Sequence, residues 1–114
     1  MTQKLAFWLE SIVEDDPLPD EVDVIVFKLN ANGNYKYLEL LGLENELNLN
    51  KETFRPLEAQ FFDLKEILTK DERVFVYRLK TIIDEAFSSL VLKQQYKNRK
   101  IYLYVNTFEF LFEV

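Results

Sequence analysis

Residues 22–43 read VDVIVFKLNANGNYKYLELLGL, two runs of strand-forming residues on either side of Asn32-Gly33. Asn-Gly between such runs is a strong hairpin signal, because a type I′ turn needs φ > 0 at both central residues. The stretch predicts strands over 22–30 and 34–43. With Asn32-Gly33 as the turn, Phe27 opposes Leu38 and Ile25 opposes Leu40, four apolar side chains on one face. Val24, Val26 and Lys28 stand against Leu41, Glu39 and Tyr37 on the other. Apolar residues on both faces place the first strand inside a sheet, not at its edge.

The last fifteen residues, KIYLYVNTFEFLFEV, sort cleanly as a second hairpin turning at Asn106-Thr107. Val105 then opposes Phe108, Leu103 opposes Phe110 and Ile101 opposes Phe112 on one apolar face. Tyr104 faces Glu109, Tyr102 faces Leu111 and Lys100 faces Glu113 on the other. Face segregation sets register, so the hairpin is preferred to one long strand.

Three helical stretches complete the pattern. Leu5, Trp8, Leu9 and Ile12 recur at helical spacing over residues 3–14, with Thr2 as cap, although Leu5, Phe7 and Leu9 also fit a strand. This helix ends before Pro17. Residues 44–55 are polar and read as a loop. Leu57, Phe61, Leu64 and Leu68 suggest a helix over 56–69 with Pro56 in its first turn; its early part could instead be extended. Thr69-x-x-Glu72 resembles a capping box opening a helix over 71–97, whose stripe of Phe75, Leu79, Ile82, Ala86 and Leu90 is widened by Val76, Ile83, Phe87 and Val91. The expected fold is α+β: an antiparallel sheet of about four strands from two hairpins, with two to three helices packed against it. At 114 residues, one domain over 1–114 is expected.

Composition excludes more than it indicates. The chain has no Cys and no His, so thiolate or imidazole catalysis and Cys or His zinc sites are ruled out. Its two Gly cannot build a glycine-rich phosphate cradle. Any two of the 20 acids could be drawn as a glycosidase pair, and Asp84-Glu85 reads as solvated. The expectation is a non-enzyme with no cofactor and no metal. Absence of Cys, of a signal peptide and of any long apolar run points to a cytoplasmic protein without a membrane span.

The charge is unevenly placed. Residues 1–54 hold eleven acids and four bases, and residues 55–114 hold nine acids and ten bases, within a net charge of −6. A negative N-terminal half argues against nucleic acid as partner. Lys93, Lys97, Arg99 and Lys100 read as cations at a helix C-terminus, with a phosphate-binding patch as the alternative. Six acids fall between residues 14 and 23: Glu14, Asp15, Asp16, Asp20, Glu21 and Asp23, with Pro17 and Pro19 stiffening the segment. The spacing does not match a calcium-binding EF-hand loop. This run reads either as a solvated loop that protects a strand edge or as a surface for a basic protein partner. Under the second reading Asp15, Asp16, Asp20, Glu21 and Asp23 are partner-binding residues. Tyr102 and Tyr104 join them, unless a helix covers their face.

The order of features resembles that of small acidic bacterial immunity proteins that partner secreted polymorphic toxins. The residues carrying the likeness are LAFWLESI at the start, Pro17-Leu18-Pro19, the hairpin with VIVFKLN, and LKQQYKN leading into the last hairpin. Such families share no single fold, so the resemblance implies a role: binding and neutralising a toxin, with no catalysis. With the acidic charge, the expected partner is a basic toxin or enzyme, and the chain is expected as monomer or homodimer. The alternatives are a self-associating scaffold domain using a strand edge and the Tyr face, and a small-ligand or carboxylate-based enzyme domain.

Overall fold

Val24, Ile25, Val26 and Phe27 are buried in succession, which a strand achieves only with neighbours on both edges and cover on both faces. The computed structural model describes residues 1–57 and 59–114. Its elements in chain order are α1 (Thr2–Asp15), β1 (Val24–Asn32), β2 (Tyr35–Leu43), a 3₁₀ turn (Leu49–Lys51), β3 (Phe61–Asp63), α2 (Glu72–Ala86), α3 (Leu90–Gln95), β4 (Lys100–Val105) and β5 (Thr107–Glu113).

The class is α+β, but the sheet differs from the four antiparallel strands expected. It has five strands in the order β3-β2-β1-β4-β5. β4 enters beside β1 and runs parallel to it, with Ile25 paired to Ile101 and Phe27 to Leu103. The two hairpins therefore join side by side through β1, whose two apolar faces demanded a second neighbour. The helices cover one face. Leu5, Trp8, Leu9 and Ile12 of α1 meet Phe75, Leu79 and Ile83 of α2 over Ile25, Phe27, Leu38, Leu40, Ile101 and Leu103. α1 ends at Asp15, ahead of Pro17. Met1 takes the cap position instead of Thr2, whose hydroxyl donates to Glu85 at 2.9 Å.

Both turns move from where the sequence suggested. In the first hairpin the turn is Gly33-Asn34, and Phe27 pairs with Leu40 and Leu29 with Leu38. Gly33 has φ +64° while Asn34 stays out of the left-handed region, as in a type II′ turn with Gly leading. The register moves by two, so every side chain keeps its face.

The second hairpin slips by one, and near its tip the faces change. The chain reverses at Asn106 alone, φ +68°, pairing Val105 with Thr107, Tyr104 with Phe108 and Tyr102 with Phe110. A type I′ turn on Asn106-Thr107 would force a β-branched Thr to φ > 0, whereas Asn tolerates that region. A register irregularity between Ile101 and Tyr102, with Leu111 as the extra residue, absorbs the slip. Ile101 still pairs with Phe112 and Lys100 with Glu113, as expected. Phe108 and Phe110 do not join the apolar core face; Leu103 meets Glu109 instead.

Two helix expectations also change. The described residues of 56–69 form no helix: β3 adds to the free edge of β2, pairing Leu38 with Phe62. Leu64 is buried while Leu57 and Leu68 are exposed, so backbone pairing at an open edge outweighed a weak apolar stripe. Position 58 of that stretch lies outside the described residues. The helix over 71–97 is two helices, because the chain breaks at Phe87–Ser89 and Ser89 caps α3. The break turns Leu90 outward, 79% exposed, while Leu79, Ile83 and Ala86 stay buried. Asp71 caps α2 instead of Thr69, accepting from the Arg73 and Val74 amides. No helix among the described residues is long and apolar enough to cross a membrane.

Candidate interaction surface

The sheet has a second face, which none of the described helices α1, α2 and α3 covers. Side chains alternate along a strand, so Ile101 and Leu103 point to the helices while Tyr102 and Tyr104 point away. There they join Val24, Val26, Leu41 and Leu43 in a smaller apolar cluster capped by Leu49 of the 3₁₀ turn. Arg55 ties the 44–55 segment down. It bonds Glu52 at 3.0 and 3.1 Å and pairs with Glu39, which is buried on this face and also accepts from Asn30 at 3.1 Å. Hydrogen bonding to Glu52, more than the charge of Glu39, raises the Arg55 pKa above its ordinary value.

The cover stops short of the β4–β5 end. Tyr104 stacks edge-on against Phe108 with ring centres 4.9 Å apart, and Tyr102 against Phe110 at 5.4 Å. Tyr102, Tyr104 and Phe108 are half-buried, and Phe110 is 53% exposed. Edge-to-face pairs of this kind hold one another in place. The result is an ordered aromatic patch open to solvent. The two tyrosines were legible as candidates; Phe108 and Phe110 were missed, because the one-residue slip had assigned them to the core.

The acidic run reaches the same sheet at the start of β1. The Asp23 amide donates to Leu43 O at 3.1 Å, and Asp23 O accepts from the Lys100 amide at 3.0 Å. Asp20 and Glu21 form an exposed turn just before it, and Asp23 is exposed. Glu44 follows Leu43 and adds a further exposed acid beside Asp23, which no pattern within residues 14–23 could have signalled. Asp15 stands apart on the last turn of α1, and Asp16 accepts from the Leu57 amide at 3.1 Å, so its carboxylate serves the backbone. The structure thus gathers Asp20, Glu21 and Asp23 at the end of the sheet from which Tyr102 is the first Tyr along β4, with Tyr104 two residues further on.

Arg99 holds that loop. Its guanidinium donates to Val22 O at 2.8 Å, Pro19 O at 3.2 Å and Gln95 O at 3.3 Å. The cation therefore clamps carbonyls; of the four clustered bases Lys93 lies in the last turn of α3 and Lys97 just past its end, while Arg99 and Lys100 lie further on, Lys100 already in β4. A five-donor planar group can bind several carbonyls at once where an ammonium cannot. The acids around it are presented on a backbone held from behind.

Among the described residues, no three Asp or Glu gather where they could hold a metal ion. A groove of about 600 Å³ between α3 and β5 carries Asp84 and Glu113 next to Lys93 and Lys97, so its charges are mixed. No protein-family model, no curated protein and no solved structure matches this chain.

Proposed function

We propose that this chain is a non-catalytic protein-binding domain whose docking surface is the β4–β5 end of the second sheet face, which the 44–55 segment leaves open, and that its partner is a basic protein. The reading rests on one observation above all: an ordered, solvent-open aromatic patch of Tyr102, Tyr104, Phe108 and Phe110 on a sheet that carries exposed acids at its end. Aromatic centres desolvate and supply affinity at interfaces, while charges at the rim steer encounter. The net charge of −6 selects for a basic partner. The concrete form we favour is immunity-type inhibition of a toxin or enzyme, in line with the resemblance in the order of sequence features.

The test is binding to the purified product of the adjacent gene, at low and high salt. Tyr104→Ala with Phe110→Ala should speed dissociation, with a loss of about 2–4 kcal/mol if these are hot spots. Asp20→Asn, Glu21→Gln and Asp23→Asn together take the net charge from −6 to −3 and should slow association and flatten its salt dependence. A basic partner that binds both variants as it binds the parent would exclude this face.

A further inference from the structure

The opposite end of β1 carries the opposite charge. Asp23 precedes the first residue of β1, and Gly33 follows the last. Beyond Gly33, the hairpin turn and the 64–70 segment enclose a groove of about 710 Å³. Among the described residues three lysines line it, Lys36 from β2 and Lys65 and Lys70 from the segment after β3, and no carboxylate does. Its apolar lining is Ile67, Phe75 and Leu68, the last 83% exposed.

We propose that this groove binds a small organic anion, an apolar or aromatic body carrying a phosphate or carboxylate head. Three like charges around one groove repel one another, and an anion between them relieves that repulsion. Among the described residues none of the three lysines is ion-paired, whereas Lys4 nearby is taken by Glu66. Two of the neighbouring acids accept from backbone amides: Asp63 from the Lys65 amide at 2.8 Å, and Asp71 as the cap of α2. Lys36 is held in place, its ammonium 4.1 Å from the centre of the Phe75 ring.

The ligand needs a body as well as a charge. A groove of this volume is of the size that encloses a drug-sized molecule, and its apolar floor offers nothing to a bare inorganic ion. Leu68 on the lip would be buried by such a body. Lysines act as mobile point charges rather than as a fixed fork, so they accept either oxyanion head. This site does not rest on the sheet-face reading; it lies at the other end of β1 and shares no residue with it.

The experiment titrates the full chain with 1-naphthyl phosphate, 1-naphthoate, 1-naphthol and inorganic phosphate, following backbone amide shifts by NMR. Both naphthyl anions should move the Gly33, Asn34 and Thr69 amides, and should bind about tenfold or more tighter than 1-naphthol or inorganic phosphate. A preference between the two anions identifies the head. Lys65→Gln with Lys70→Gln, which leaves the Lys36–Phe75 contact intact, should weaken both anions about tenfold. Shifts centred elsewhere, equal binding of 1-naphthol, or unchanged affinity in the double variant would overturn the proposal.

Discussion

Replacing Gly42 with Ala tests the sheet where it supports the acidic loop. Gly42 pairs with Ile25 on the helix side of β2, and Val22 and Phe54 close over it. A Cβ there would lie 2.8 and 3.2 Å from the two Val22 methyls and 2.9 Å from Phe54 Cβ. Carbon atoms rest at about 3.5–4.0 Å, so both neighbours must retreat by more than half an ångström. Neither is a free end. Val22 is buried, its amide bonds Pro19 O at 3.1 Å, and its carbonyl is held by Arg99. Phe54 is tied to Gly42 itself: the Gly42 amide donates to Phe54 O at 2.9 Å, and Gly42 O accepts from Thr53 at 2.8 Å and Phe54 at 3.2 Å. Overpacking of this kind costs about 1–3 kcal/mol. Ala reduces the freedom of the unfolded chain, which returns about 0.4–1 kcal/mol. The expected result is a net loss of about 1–2 kcal/mol, or a Tm lower by roughly 4–8 °C. Urea unfolding followed by the fluorescence of Trp8, the one Trp, measures it. A variant as stable as the parent, or more so, would refute the packing around Gly42, because a Gly→Ala change in a strand without a clash should stabilise.

Phe110→Ala should cost under about 1 kcal/mol of stability because the ring is half-exposed, against about 3–5 kcal/mol for Phe27→Ala in the core; equal losses would restore the original register. Arg99→Ala should cost about 2 kcal/mol and speed hydrogen exchange in residues 18–23, with Arg99→Lys recovering only part, because one ammonium cannot reach all the carbonyls; unchanged exchange would remove the clamp. Burial pushes the Tyr96 phenol above its ordinary pKa. A raised folded pKa means stability is fully present below the unfolded value of about 10 and falls as pH climbs past it. Tyr96→Phe should therefore flatten the alkaline fall in unfolding free energy, and an identical fall would mean that another group drives it.

Local pattern was enough wherever one feature dominated a short stretch. The stripe of α1, the stop before Pro17, the two strands around Gly33 and the central position of β1 were all legible, because side-chain period, proline geometry and two-sided apolarity are properties of neighbours in the chain. Tyr102, Tyr104 and the acidic run were legible as candidates for the same reason. The elements that changed depended on partners far away in sequence. The 56–69 stripe yielded to a backbone edge on β2 that needed pairing. The parallel contact of β1 with β4 joins residues more than seventy positions apart, and no local period encodes which strand lies beside which. The Asn106 turn slipped by one residue, and that slip moved Phe108 and Phe110 from the core to the open face. Composition and spacing thus named the tyrosines and the acids of the candidate surface, but not Phe108 and Phe110. Their assembly into one patch, with Asp20, Glu21 and Asp23 at its end and a lysine groove at the other end of β1, came from long-range strand pairing, because alternation assigns a side chain to a face only once register is set.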